Sequence, residues 1–179
     1  YWKDKVTPVD AYGYYPYRED IPNVRSMPFA VCPNQSEKDA DSGLGGYEAS
    51  DFLWAKTSGV SPSSGMISLE HNHMMASVMV TLVPGEGFTD EEWATLDKTV
   101  MVENTHLASF VDLSTGQVTV DESSGLQPIV AVKDGEDWRA IVVPQTIDKG
   151  TALISITVNG FGFHLIRESM MTFHQGKMH

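Results

Sequence analysis

The alternation of apolar and polar positions is sharpest between Met66 and Pro84. From Met74 to Leu82 every even position (Met74, Ala76, Val78, Val80, Leu82) is apolar, while the odd positions mix Ser77 and Thr81 with Met75 and Met79. A period of two over that length predicts a strand with one face sealed and the other partly so. Upstream the phase is odd: Ile67 and Leu69 alternate with Ser68 and Glu70. The phase change between His71 and Met75 predicts a bulge or break, because a one-residue slip exchanges the two faces of a strand.

The first fifty residues are irregular and rich in turn formers. Val9–Tyr17 reads as a strand stopped by Pro16, which cannot donate to a ladder, and a second short strand is expected over Phe29–Cys32. Asn34–Gly46 has loop composition, order restarts at Asp51–Ala55, and Thr57–Gly65 (TSGVSPSSG) reads as a linker or exposed crossing. The chain therefore divides into residues 1–56, the remnant of an N-terminal β-domain with its connecting loop, and residues 57–179, a β-sandwich domain.

Beyond Pro84 the sequence holds one convincing helix start. Thr89 with Glu92 three residues on makes a capping box, and Phe88 and Trp93 make the matching hydrophobic staple. Asp90, Glu91 and Glu92 suit the positive end of the helix dipole, and the helix is expected to end near Lys98. Everything else reads as strand: Thr99–Glu103, His106–Leu113, a turn at Ser114-Thr115-Gly116 into Gln117–Val120, then Leu126–Val132, a turn over Lys133–Glu136, and Trp138–Val143. Asn159-Gly160 is the signature of a two-residue type I′ turn, since both central residues need positive φ. That turn pairs Val158 with Phe161, Ile156 with Phe163 and Ile154 with Leu165 on one face expected to be sealed; Thr157, Ser155, Gly162 and His164 take the wetter face. Val78 and Ile156 are expected to be buried. Roughly eight strands at intervals of 8–12 residues with one short helix predict an all-β antiparallel sandwich.

Composition narrows the function. Twelve basic against 24 acidic residues give a net charge of −12, which repels phosphate backbones and argues against nucleic-acid binding. No run approaches the length of an apolar membrane span. The lone Cys32 forms no internal disulfide, and no CxxC is present. Tyr1-Trp2-Lys3 carries no initiator Met and no signal-peptide pattern, and both ends read as cut short, the final strand of the sandwich being absent after Lys177.

Candidate chemistry is sparse. His71 and His73 lie two apart, so on a regular strand they share a face, and with His106 or His164 they could converge on zinc or copper. The alternative is that they flank the predicted kink. His71-Asn72-His73 is not the nuclease motif, whose residues are spread along the chain. No HExxH, no GxSxG elbow and no phosphate loop is present, and Asp39-Ala40-Asp41 reads as solvated loop. The tyrosines Tyr12, Tyr14, Tyr15 and Tyr17 could stack on sugars or bases but read better as a packing surface, and the Met pairs Met74-Met75 and Met170-Met171 as core filler. The residues assemble no catalytic set and no cofactor site.

Several stretches, in order, resemble the fimbrillin family of Bacteroides-type bacteria. They are the aromatic-Pro element Tyr12–Tyr17, Asp51–Ala55, the strand Leu69–Val80 in which His73 takes the family histidine and His71 replaces an aromatic, Gly87-Phe88-Thr89, Ala108–Gly116, Trp138–Thr146, and Phe173–Lys177. The resemblance implies transthyretin-like, Greek-key β-sandwich domains without catalysis. It implies a lipoprotein displayed at the outer membrane surface, although the lipobox Cys has no counterpart and Cys32 lies too deep to be it. It further implies a fimbrial subunit or accessory whose partners are other subunits, joined by strand exchange. The alternatives are a non-polymerising surface lipoprotein that binds host glycans or proteins, and a metal-binding protein or enzyme using His71, His73 and His164.

Overall fold

The structure is a computed structural model that describes Asp4 and residues 6–179. The chain forms an all-β sandwich with small accessory sheets. In order, the elements are β1 (Val9–Tyr15), β2 (Met27–Ala30), α1 (Gly46–Ser50), β3 (Leu53–Val60), β4 (Asn72–His73), β5 (Ala76–Thr81), α2 (Asp90–Thr95), β6 (Lys98–His106), β7 (Ala108–Asp112) and β8 (Gln117–Val120). There follow β9 (Leu126–Val130), β10 (Val132–Asp134), β11 (Asp137–Val142), β12 (Thr146–Ile147), β13 (Ala152–Val158), β14 (Phe161–Ile166) and β15 (Met171–Thr172).

Two sheets make the sandwich. One has the order β14-β13-β6-β9, the other β10-β11-β5, and β11 lies against β6 and β9. Ala76 and Val78 of β5, Trp138, Ala140 and Val142 of β11, Val100 and Val102 of β6, Ile129 of β9 and Ile154 of β13 fill one buried cluster. Around it sit β1-β3-β4, β2-β7-β8 and the ribbon β12-β15. From these, Met27, Phe29, Val111 and Phe52 enter the same cluster.

The break predicted between His71 and Met75 is present, and it is a change of sheet. Asn72 and His73 pair with Trp54 and Leu53, whereas Ala76–Thr81 pair with Val142–Asp137. Met74 and Met75, at the crossing, are both buried. No single alternation spans such a point because the two strands pair in different sheets. The same device divides the expected strand Leu126–Val132. Ala131 is the crossing residue, its N–H bonded to the Val100 carbonyl at 2.9 Å, with β9 paired to β6 and β10 to β11.

The capping box is present as read. Glu92 N–H donates to Thr89 Oγ1 at 3.2 Å, and the Glu92 carboxylate accepts from Thr89 N–H at 3.0 Å. Phe88 and Trp93 meet edge to face with centroids 5.8 Å apart. The helix stops at Thr95 rather than near Lys98, because Lys98 begins β6 and its ammonium caps the Trp93 and Leu96 carbonyls.

Other boundaries differ. The strand expected over Phe29–Cys32 is Met27–Ala30, and it holds Pro28 because β2 is an edge strand where a missing N–H costs no ladder bond. A second helix, α1, lies inside the region of loop composition. It has no side-chain N-cap; instead Ser50 Oγ donates to the Gly46 carbonyl at 2.6 Å and accepts from Cys32 N–H at 2.8 Å. Gly46 is required there, since a Cβ would come within 2.5 Å of the Asn34 carbonyl oxygen. The gap expected between Glu103 and His106 is a bulge within β6, with Asn104 at φ 56° and its amide bonded to the Ala152 carbonyl at 2.7 Å. Thr57–Val60 are strand rather than linker, so β3 runs across the division expected at residues 56 and 57.

The hairpin at Asn159-Gly160 has the predicted register throughout, with both turn residues at positive φ (51° and 86°). Its expected sealed face is open on β14. Phe161, Phe163 and Leu165 are 73%, 57% and 51% exposed, and Ile156 is half-buried rather than buried. Val78, by contrast, is buried as expected.

Candidate functional site

The histidines do not converge. His73, at the end of β4, is an exposed side chain whose Nδ1 lies 2.8 Å from an Asp51 oxygen. His71 sits beside Gly13 of β1, close enough that a Cβ on Gly13 would lie 2.9 Å from its Nε2. His164 is on β14, in another sheet, with Nδ1 2.8 Å from Ser155 Oγ. His106 Nδ1 lies 3.5 Å from Ser124 Oγ. Among the described residues, no group of three or more His, Cys, Asp or Glu side chains is gathered in a metal-holding arrangement.

The tyrosines divide. Tyr14 stacks on the buried Phe52 with centroids 6.1 Å apart, and Tyr12 tilts against Trp54 under the Lys56 ammonium. This half packs on its own chain. Tyr17 instead lines a cleft of about 640 Å³ with Arg18, Cys32, Asp39 and Phe110. Burial pushes the Cys32 thiol up, which favours its protonated form, and its Sγ lies 3.7 Å from Asp39 Oδ1. Bonds from Ser42 hold the Asp39 carboxyl below its ordinary value, so it stays ionised. The cleft therefore offers an exposed aromatic ring, a guanidinium and a carboxylate.

The inner face of β14 departs from a closed domain. Across one row of the sheet, Val100 is fully buried, Ile156 half-buried and Phe163 exposed; in the neighbouring row Val102 and Ile154 are buried and Leu165 is exposed. The core ends between β13 and β14. Fully covering each of these apolar side chains is worth about 1.5–3 kcal/mol. The outer edge of β14 is open as well. In a two-residue turn the flanking pair Val158 and Phe161 exchanges both backbone bonds, so Gly162 and His164 turn their N–H and C=O groups away from β13. Phe161–Ile166 carries no Pro and no charge, the usual guards of an exposed edge.

A family model described as fimbrillin-like matches residues 1–179. The chain belongs to the fimbrillin-like family. Solved structures similar to this fimbrillin-like chain include a protein provisionally described as a cell adhesion protein from Bacteroides uniformis, at a TM-score of 0.74 and 24% identity. Proteins of the same description from Bacteroides thetaiotaomicron and Bacteroides ovatus give TM-scores of 0.64 and 0.67 at 18% and 16% identity. The alignments cover 97%, 94% and 93% of this chain, but it spans only 66%, 62% and 59% of those chains. At such identities the likeness shows a shared fold. No curated protein sequence matches the chain.

Three glutamines, missed by any periodicity, hold this fimbrillin-like fold together. Gln35, buried, donates to the Ile141 carbonyl and accepts from Ile141 N–H, both at 2.7 Å. Gln145 does the same for His106, at 3.0 and 2.8 Å, and Gln175 joins the Gly116 carbonyl to Val118 N–H at 2.9 and 3.2 Å. Each primary amide bonds a backbone N–H and a backbone C=O, as a residue of a paired strand would.

Proposed function

We propose that the protein is a non-catalytic surface subunit, a fimbrial subunit or fimbrillin-like accessory, displayed on the outer membrane through a lipid anchor and joined to other subunits by strand exchange. Membership in the fimbrillin-like family over residues 1–179 is the observation that carries this reading. The adhesion descriptions of similar structures support it. The open edge of β14 supplies a physical route: an extended segment of a neighbour adds there, pairing with the outward groups of Gly162 and His164. Apolar side chains on the donor give the contact its strength, and the ladder gives it direction. Charge favours an ordered joint over random contact, because copies carrying a net −12 repel one another elsewhere.

Electron microscopy of the mature protein under assembly conditions tests this. Wild type should form filaments. His164→Pro removes one outward N–H on an edge strand that tolerates proline, so it should fold and fail to polymerise. Wild type that stays monomeric, or a proline variant that assembles equally well, counts against the polymerising form.

The cleft at Tyr17 favours a second reading, a non-polymerising surface protein that binds host glycans, since an exposed ring beside ionised groups suits a sugar's apolar face and hydroxyls. Glycan binding lost in Tyr17→Ala would favour it.

A further inference from the structure

We infer that the Tyr17 cleft is one end of a longer site, and that the outer face of β2-β7-β8 binds a linear, uncharged glycan across Phe110. The inference rests on the glycan-binding reading and adds to it the length and charge class of the sugar.

Strand alternation builds the face. In β7, Ser109 and Val111 are buried, so Ala108, Phe110 and Asp112 point outward. Cross-strand pairing sets Pro28 of β2 and Thr119 of β8 on either side of Phe110. Phe110 is a large ring left 39% exposed among small and polar neighbours. It lies between two hollows and lines both. One is the cleft of about 640 Å³ that holds Tyr17; the other, of about 300 Å³, holds Arg25, Asp112 and Thr119. Ala108, in the first hollow, and Asp112, in the second, stand about 14 Å apart along an extended strand. One pyranose ring does not span that length, and a chain of sugars does.

Each hollow offers donors and acceptors that do not satisfy one another. Among the described residues, neither Arg18 nor Arg25 forms an ion pair. Bonds from the Ser42 and Ser114 hydroxyls and amides hold the Asp39 and Asp112 carboxyls below their ordinary values, so both stay ionised. A sugar hydroxyl donates to a carboxylate and accepts from a guanidinium, while the C–H face of the ring covers Phe110 or Tyr17. Charge narrows the class further. Four carboxylates line the two hollows (Asp39, Asp41, Asp112, Asp121) against two guanidiniums, a balance of −2 on a chain of net charge −12. That balance repels sulfated and uronic-acid chains and leaves neutral ones.

The test is binding of the purified protein to linear neutral glycans graded by length from monosaccharides upward, with sulfated chains, uronic-acid chains and an oligolysine peptide alongside. Affinity should rise about tenfold or more once a chain is long enough to cross Phe110. Phe110→Ala should lower the affinity for long chains by about tenfold, and Phe110→Trp should restore it. Thr119→Trp fills the second hollow from an exposed position, so it should weaken long chains and leave the shortest unchanged. Long chains bound equally well by wild type, Phe110→Ala and Thr119→Trp overturn the inference. If Tyr17→Ala still abolishes binding in that case, the glycan reading stands without it. Preference for sulfated or uronic-acid chains also overturns the inference. Failure to bind any neutral glycan overturns both, and oligolysine binding that Phe110→Ala removes would then assign the face to a cationic peptide.

Discussion

Val100 and Phe163 lie in one row on one face of the same sheet, two strands apart, with Ile156 between them; Val100 is 0% and Phe163 57% exposed. Over about two strand spacings the interior gives way to solvent with no change in side-chain type. Such a boundary, where apolar surface and open backbone groups meet, is a place to seek function.

The inner face of β5 sets the first prediction. Val78→Asp places an unpaired charge in the shared core and should cost about 3–5 kcal/mol, read as a lowered denaturant midpoint. Met79→Asp, one residue on and facing outward, should stay within about 0.5 kcal/mol. Equal effects would mean the faces of β5 are not as described.

Gln35→Leu keeps the volume of the buried amide and removes both its bonds to Ile141. Each backbone group left unpaired should cost about 1–3 kcal/mol by chemical denaturation. The exposed neighbour change Ser36→Ala should be near neutral.

Thr89→Ala removes one half of the capping box, a loss of about 1 kcal/mol in helix stability. No residue of α2 is buried, so the loss should appear as faster amide exchange within Asp90–Thr95 and leave the global midpoint almost unmoved. Bonds from the Thr89 N–H and hydroxyl hold the Glu92 carboxyl below its ordinary value. Its help to the helix is therefore complete above the ordinary carboxylate range and is lost as pH falls through the lowered folded value.

The docked end of the chain should respond to pH at a higher range. Burial first, and then the charge of His174, hold the His179 imidazole below its ordinary value. His179 Nε2 also accepts the His174 N–H at 3.0 Å, a bond that a proton there would break. The folded state binds fewer protons than the unfolded, so docking is at full strength above the ordinary histidine range and weakens as pH falls through the lowered folded value. The Ser77 and Met79 amides donate to the Lys177 and His179 carbonyls. Their exchange, corrected for intrinsic rates, should accelerate over that window, and His179→Phe should abolish the change.

Much of the fold was legible because it is local. The capping box at Thr89, the turn at Asn159-Gly160 with its full register, and the break after His73 each rest on residues close in sequence. The errors fall where a distant partner decides. Ile156 and Phe163 pair as the Asn159-Gly160 turn predicts, but what stands opposite them is not written in their own alternation. Leu126–Val132 reads as one strand because nothing in its apolar run marks Ala131 as a change of sheet. Gln35, Gln145 and Gln175 look like surface residues, since a primary amide completing a ladder leaves no periodic trace. The spacing of His71 and His73 suggested a shared face, and the structure gives each its own neighbour, Gly13 and Asp51.

The claim that β14 is the joint between subunits is tested most directly by hydrogen exchange at the Gly162 and His164 amides, in monomer and in assembled protein. Both amides should exchange freely in the monomer and become protected on assembly, while those of Phe161 and Phe163, already bonded to β13, should be protected in both. Gly162 and His164 amides that exchange as fast in the filament as in the monomer would contradict it.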